Sequence, residues 1–98
     1  MRLSDEELRA IKAAARDAFG EDAVVRLFGS RVDDRKKGGD IDLHVEVGEH
    51  CDDWRARCVF EDRLFARIER QKVDVITKAR GKEPRGIDLI ALRDGVVL

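Results

Sequence analysis

Residues 40–47, Asp-Ile-Asp-Leu-His-Val-Glu-Val, alternate polar and apolar without a break. A period of two belongs to a β-strand, whose successive side chains leave opposite faces, and not to a helix with its 3.6-residue period. The run predicts a strand with Ile41, Leu43, Val45 and Val47 on one face and Asp40, Asp42, His44 and Glu46 on the other. A strand with one apolar face needs a second layer to cover it.

The rest of the chain supplies that layer. Ser4 and Glu7 form a capping box, and Leu8, Ile11, Ala14, Ala15, Ala18 and Phe19 then recur at helical spacing up to the stop at Gly20. Residues 23–28, AVVRLF, read as a short strand ending at Gly29, and residues 72–77, KVDVIT, as a third strand. A second long helix is predicted from Asp52 to Arg70, with Trp54, Cys58, Leu64, Phe65 and Ile68 as its buried stripe. Ile87 to Arg93 suits a short helix, and Val96-Val97-Leu98 a last strand or docked tail. Arg31 to Gly39 is a loop rich in charge and glycine, and the only proline, Pro84, marks another exposed loop. The order predicts an α/β (α+β) fold, a small mixed β-sheet flanked by helices, in a single domain over residues 1–98.

Composition narrows the function classes. Charged residues reach 42% of the chain, against ~25% in an ordinary protein, yet their signs nearly cancel to a net charge of -1. General polyanion binding, which rests on a strong basic excess, is not expected. The sequence has no apolar run near the ~20 residues that span a bilayer, and its acidic, helical N-terminus does not read as a signal peptide. Cys51 and Cys58 are too few for a disulfide framework and have no Cys or His cluster beside them, so a cytoplasmic location is expected.

The candidate chemistry starts from Asp40 and Asp42. On one strand face their carboxylates stand roughly 6–7 Å apart, set by a rise of ~3.3 Å per residue. Neighbouring anions repel, so either water screens them or a cation sits between them, and hard oxygen donors favour magnesium or manganese. Alone, such a pair is equally the outer face of a solvated strand. Gly29-Ser30 follows the preceding strand, where glycine permits close approach and exposed N–H groups with a hydroxyl can hold phosphate oxygens. A plain turn also favours these residues. Asp74 interrupts the apolar third strand and needs a cationic partner, a metal or an exposed face.

Together and in this order, the three features resemble the signature of the DNA polymerase β-like nucleotidyltransferase superfamily, and most closely its minimal nucleotidyltransferases. The matching stretches are LFGSR at 27–31, GGDIDLHVEV at 38–47 and KVDVI at 72–76, and the ending IALRDGVVL is also similar. The resemblance spans essentially the whole chain. It implies that Asp40, Asp42 and Asp74 are catalytic and hold two Mg2+ ions (Mn2+ is an alternative), and that Gly29 and Ser30 bind the nucleotide phosphates. One ion would activate the attacking hydroxyl and the other would neutralise the pyrophosphate leaving group. Arg31 is a further nucleotide-binding candidate. Arg35, Lys36 and Lys37 read first as a solvated charge run, and His44 and Glu46 as solvent-facing or supporting residues. The chain departs from many relatives in having Gly39 where they place a serine before the first aspartate.

Small stand-alone members resemble antitoxins paired with a helical HEPN-domain ribonuclease toxin, onto whose tyrosine they transfer AMP from ATP. The resemblance thus implies a protein adenylyltransferase with a cognate toxin as partner. This chain has no tyrosine, so a tyrosine acceptor has to come from another molecule. The alternatives are a non-catalytic antitoxin that neutralises by complex formation and, further off, an enzyme that nucleotidylates a small molecule such as an aminoglycoside.

Overall fold

The computed structural model describes residues 2–33, 39–48 and 53–98. Arg35, Lys36, Lys37, Cys51 and the expected helix start at Asp52 lie outside the described residues. Helix α1 (Asp5–Phe19) leads into strand β1 (Val24–Phe28), a 3-10 turn over Gly29–Val32 and strand β2 (Ile41–Val47). Helix α2 (Trp54–Phe65), strand β3 (Val73–Ala79), helix α3 (Gly86–Asp94) and the short strand β4 (Val96–Val97) complete the order. The predicted capping box is present: Ser4 Oγ accepts from the Glu7 amide, and the Glu7 carboxylate accepts from the Ser4 amide, both at 3.0 Å.

The strands form a mixed sheet in the order β3-β2-β1-β4. β1 lies antiparallel to both β2 and β4, whereas β2 and β3 are parallel. Antiparallel neighbours can be joined by a tight turn, but a parallel pair needs a crossover, and the segment containing α2 provides it. The tail after α3 is a true strand, held through Arg26 and Leu27.

The alternation of β2 decides how the layers assemble. Ile41, Leu43, Val45 and Val47 are fully buried against α1 and α2, where Ile11, Phe19, Phe60 and Leu64 meet them. The Phe19 and Phe60 rings join the two helices with centroids 5.8 Å apart. α2 differs from its sequence reading. It is shorter, and its fully buried residues are Phe60 and Leu64, while Trp54 is 70% exposed and Cys58 is also exposed. α2 meets the core along a narrow i, i+4 strip of Ala56, Phe60 and Leu64, and Trp54 and Cys58 lie off that strip. Phe65 and Ile68 remain at the edge of the core, as expected.

The polar face of β2 is covered too. α3 lies on that side, and His44, read as solvent-facing or supporting, is instead fully buried with its Nε2 2.7 Å from Asp88 Oδ1. Asp88 is fully buried as well. It accepts from the Arg85 amide at 2.7 Å and from Arg85 Nε at 3.0 Å, while Arg85 Nη2 donates to the Thr77 carbonyl at 2.7 Å. The Arg85 guanidinium is the main reason that the Asp88 carboxyl is held far below the usual carboxylate range despite burial, with the Arg85 amide and His44 adding to it. Asp88 is therefore ionised and acceptor-only, so His44 Nε2–H is the donor. Glu46, read as solvent-facing or supporting, is half-buried and paired with Arg26 at 2.7 Å.

Asp88→Asn should cost about 2–3 kcal/mol at pH 7, the range for buried hydrogen bonds to a charge. The gap to the wild type should narrow below about pH 4, because a lowered native pKa gives stability that is lost as the carboxylate protonates. Urea unfolding at pH 7 and at pH 3 measures both.

Candidate functional site

The register of the sheet brings the polar side chains of its α3-facing side into rows. One row is Arg26, His44 and Ile76, and the next is Phe28, Asp42 and Asp74. The first contains the buried His44 beneath α3, while in the second Asp42 is half-buried and Asp74 is exposed. Asp74 thus meets the demand made of it by water exposure. Asp40 sits just before β2, with a half-exposed side chain and Lys72 Nζ 3.4 Å from its carboxylate.

The three acids share one electrostatic neighbourhood. The Asp42 carboxyl is pushed above its ordinary value, first by partial burial, then by the charges of Asp74 and Asp40 and by a side-chain hydrogen bond with Asp74, against a smaller opposing effect from Lys72. The same anions hold the Lys72 ammonium above its usual range, with Asp40 the largest cause. Among the described residues no three carboxylate, imidazole or thiol groups converge into a complete metal cage. Magnesium does not need one, since one or two carboxylates with substrate phosphates and water commonly hold it. Hard, mutually repelling oxygens at an exposed strand end fit that partial shell, with Asp42 and Asp74 as the close pair and Asp40 beside them.

The Gly29-Ser30 turn is built onto this group. Gly29 has φ 78°, and a Cβ placed there would collide with the Asp42 carboxylate, its Cγ at 3.2 Å. Gly39 has φ 90°, and its missing Cβ leaves the space that Ser30 Oγ occupies. At the position where many relatives place a serine, glycine therefore lets Ser30 approach closely. Arg2, which carried no expectation, fastens the turn from outside. Its Nη2 donates to the Ser30 carbonyl at 3.0 Å and its Nε to the Asp33 carbonyl at 3.1 Å, while its amide donates to Arg31 O at 2.7 Å. Arg31 answers by donating to the Arg2 carbonyl at 2.9 Å and to the Gly39 carbonyl at 3.3 Å. The Arg31 guanidinium is thus engaged by main-chain oxygens that tie the turn to the start of β2. Lys72 is the first residue of the KVDVI motif and so has a local sequence signal, whereas the reach of Arg2 across 28 residues has none.

An open hollow of about 560 Å³ adjoins Asp42 and Asp74 and is bordered by Arg57 of α2 and Ile87 of α3. The site therefore combines a cluster of anionic oxygens, a tight Gly-Ser turn and a recess at the outer strand. No family model matches the chain, and no curated protein matches it.

Two variants probe this geometry. In metal-free buffer at pH 7, Asp42→Asn should raise the melting temperature by about 2–5 °C, because it removes a like-charge contact worth about 0.2–1 kcal/mol. That advantage should fade on acidification, since a raised native pKa means that protonated Asp42 no longer carries the repulsion. Gly29→Ala should cost about 1–3 kcal/mol through the strained φ and the collision with Asp42, with the loss read by thermal denaturation.

Proposed function

We propose that the chain is a magnesium-dependent nucleotidyltransferase of the minimal, polymerase β-like kind, which transfers AMP from ATP to a partner protein in the cytoplasm. The observation that carries this reading is the packing of Gly29 onto the carboxylate of Asp42, itself opposite Asp74 in the parallel pair. A turn suited to phosphate oxygens and acids suited to a divalent ion then form one site rather than two. No helix among the described residues is long and apolar enough to cross a membrane.

Asp42 and Asp74, with Asp40 beside them, would hold Mg2+, which when bound supplies charge neutralisation for the phosphates and lowers the pKa of the attacking hydroxyl. The backbone at Gly29 and Ser30 and the Ser30 hydroxyl would bind the outer phosphates of ATP. Arg2 and Arg31 would act by holding that turn in place. Positioning and electrostatic stabilisation then account for most of the acceleration expected of such a site. The proposed partner is a HEPN-domain toxin, whose tyrosine would serve as acceptor.

A non-catalytic reading, neutralisation by complex formation, draws on Leu89, Ile90 and Leu92 of α3, which are 55%, 45% and 46% exposed. The discriminating experiment incubates the protein with Mg2+, α-labelled ATP and extract of its source cells or the product of the neighbouring gene. An Asp40→Asn/Asp42→Asn double variant runs beside it. A labelled protein band is expected with the wild type and at least about a hundredfold less label with the variant. No label with the neighbouring gene product, together with neutralisation that survives Asp42→Asn, would establish the binding module instead.

A further inference from the structure

We propose that the free edge of β4, beside the basic flank of α1, is a docking groove for an extended, acidic segment of another protein, which joins the sheet as a further strand. The groove lies at the opposite edge of the sheet from Asp74, and the proposal does not rest on the nucleotidyltransferase reading.

A hollow of about 550 Å³ lies between α1 and the β1 and β4 side of the sheet. Arg9, Lys12 and Arg16 of α1 border it, three cations at i, i+3 and i+7 that share one flank of the helix. All three are exposed. Among the described residues none of them has an ion pair, and Arg9 alone is engaged, its Nε donating to the Asp5 carbonyl at 3.3 Å. Like charges at i and i+4 disfavour a helix, and Lys12 and Arg16 stand at that spacing. The helix dipole favours Arg16 in the last turn but gives no reason for Arg9 or Lys12. Glu21 is the one acid in the lining, which leaves a positive rim on a chain of net charge -1.

The floor and the strand edge decide what fits. Ala13, Ala23, Val24 and Leu98 supply an apolar floor. The Leu98 amide donates to the Val25 carbonyl at 2.9 Å, which makes these two residues a hydrogen-bonded pair of the antiparallel ladder. Bonded and non-bonded pairs alternate, so Val97, opposite Arg26, turns its N–H and C=O away from β1 to the free edge. An added strand meets those groups with its main chain and sends alternate side chains toward α1. Acids at the alternate positions then reach the three cations. An RNA strand would match the cations but not the main-chain groups of Val97, and the lining has no aromatic ring for base stacking. A second copy of the chain would bring the uncharged Val96 and Val97 against the cations.

The test titrates the full ¹⁵N-labelled chain with an acetylated, amidated peptide of alternating glutamate and valine, read by amide shifts in NMR. Shifts are expected at Val97 and, along α1, at Lys12 and Arg16. Lysine in place of glutamate in the peptide should abolish them. N-methylation of the peptide main chain removes the donors of a strand and should weaken binding about tenfold or more. A similar loss, about tenfold, is expected for Lys12→Glu/Arg16→Glu and for raising the salt from about 0.05 M to about 0.5 M. The salt series and the methylated peptide need no variant, so the test holds if the double variant fails to fold by circular dichroism. No shift up to about 1 mM peptide, shifts confined to other residues, or equal binding of the methylated peptide would overturn the proposal. So would oligouridylate shifting these amides in place of the peptide, which marks an RNA site, or Val97 shifts that follow protein concentration alone, which mark self-pairing.

Discussion

The parallel pairing of β2 with β3 is the constraint on which the rest of the molecule depends. Its register sets Asp42 directly opposite Asp74, an arrangement that cross-strand electrostatics disfavours. A sheet selected for stability alone would have put an apolar or oppositely charged residue at one of these positions. The structure meets the difficulty in several ways at once. Asp74 stays exposed, the Asp42 carboxyl is pushed above its ordinary value, and Lys72 brings a cation beside Asp40. The pairing also dictates topology, because a parallel neighbour cannot be reached by a hairpin and the intervening chain has to cross over the core face.

The loop before β2 shows a second level of constraint. Two glycines with positive φ, Gly29 and Gly39, give up side chains so that a carboxylate and a hydroxyl can stand where their Cβ atoms would be. Arg2 and Arg31 then lace the same segment with main-chain hydrogen bonds. A turn held by backbone oxygens on one side and excluded volume on the other has few alternative conformations. Such pre-organisation is what a phosphate-binding loop needs if it is not to lose affinity to its own ordering.

Much of the fold was legible because its strongest signals are local. The α1 capping box, the alternation of β2 and the punctuation at Gly20 and Gly29 involve residues within a turn or two of each other, and each appears as read. Local signals also brought Asp42, Asp74 and Gly29 into view, and the sheet places them together. The misreadings have a common cause. Trp54 and Cys58 matched a helical stripe, but α2 touches the core only along the strip of Ala56, Phe60 and Leu64, a tertiary fact with no imprint on periodicity. His44 matched the outward face of a strand, but which face stays outward depends on where α3 lands and on Asp88 arriving with it. Arg2 belongs to the same group, since its partners lie about thirty residues away along the chain.

The two faces of the sheet are closed by different kinds of force. Against α1 and α2 the closure is a continuous apolar core. Against α3 it relies on a polar clasp that runs from Thr77 through Arg85 and Asp88 to His44, with Ala91 as the one fully buried apolar residue of the helix. Leu89, Ile90 and Leu92 are already about half exposed, so lifting α3 would expose less new apolar surface than separating α1 and α2 from the sheet. Heat capacity changes follow newly exposed apolar area, so such an opening would carry a smaller one. Its equilibrium would then vary gently with temperature, while separation of α1 and α2 from the sheet would show the steep curvature of ordinary unfolding. One small chain would thus contain a sheet face released on enthalpic terms and another released on hydrophobic ones.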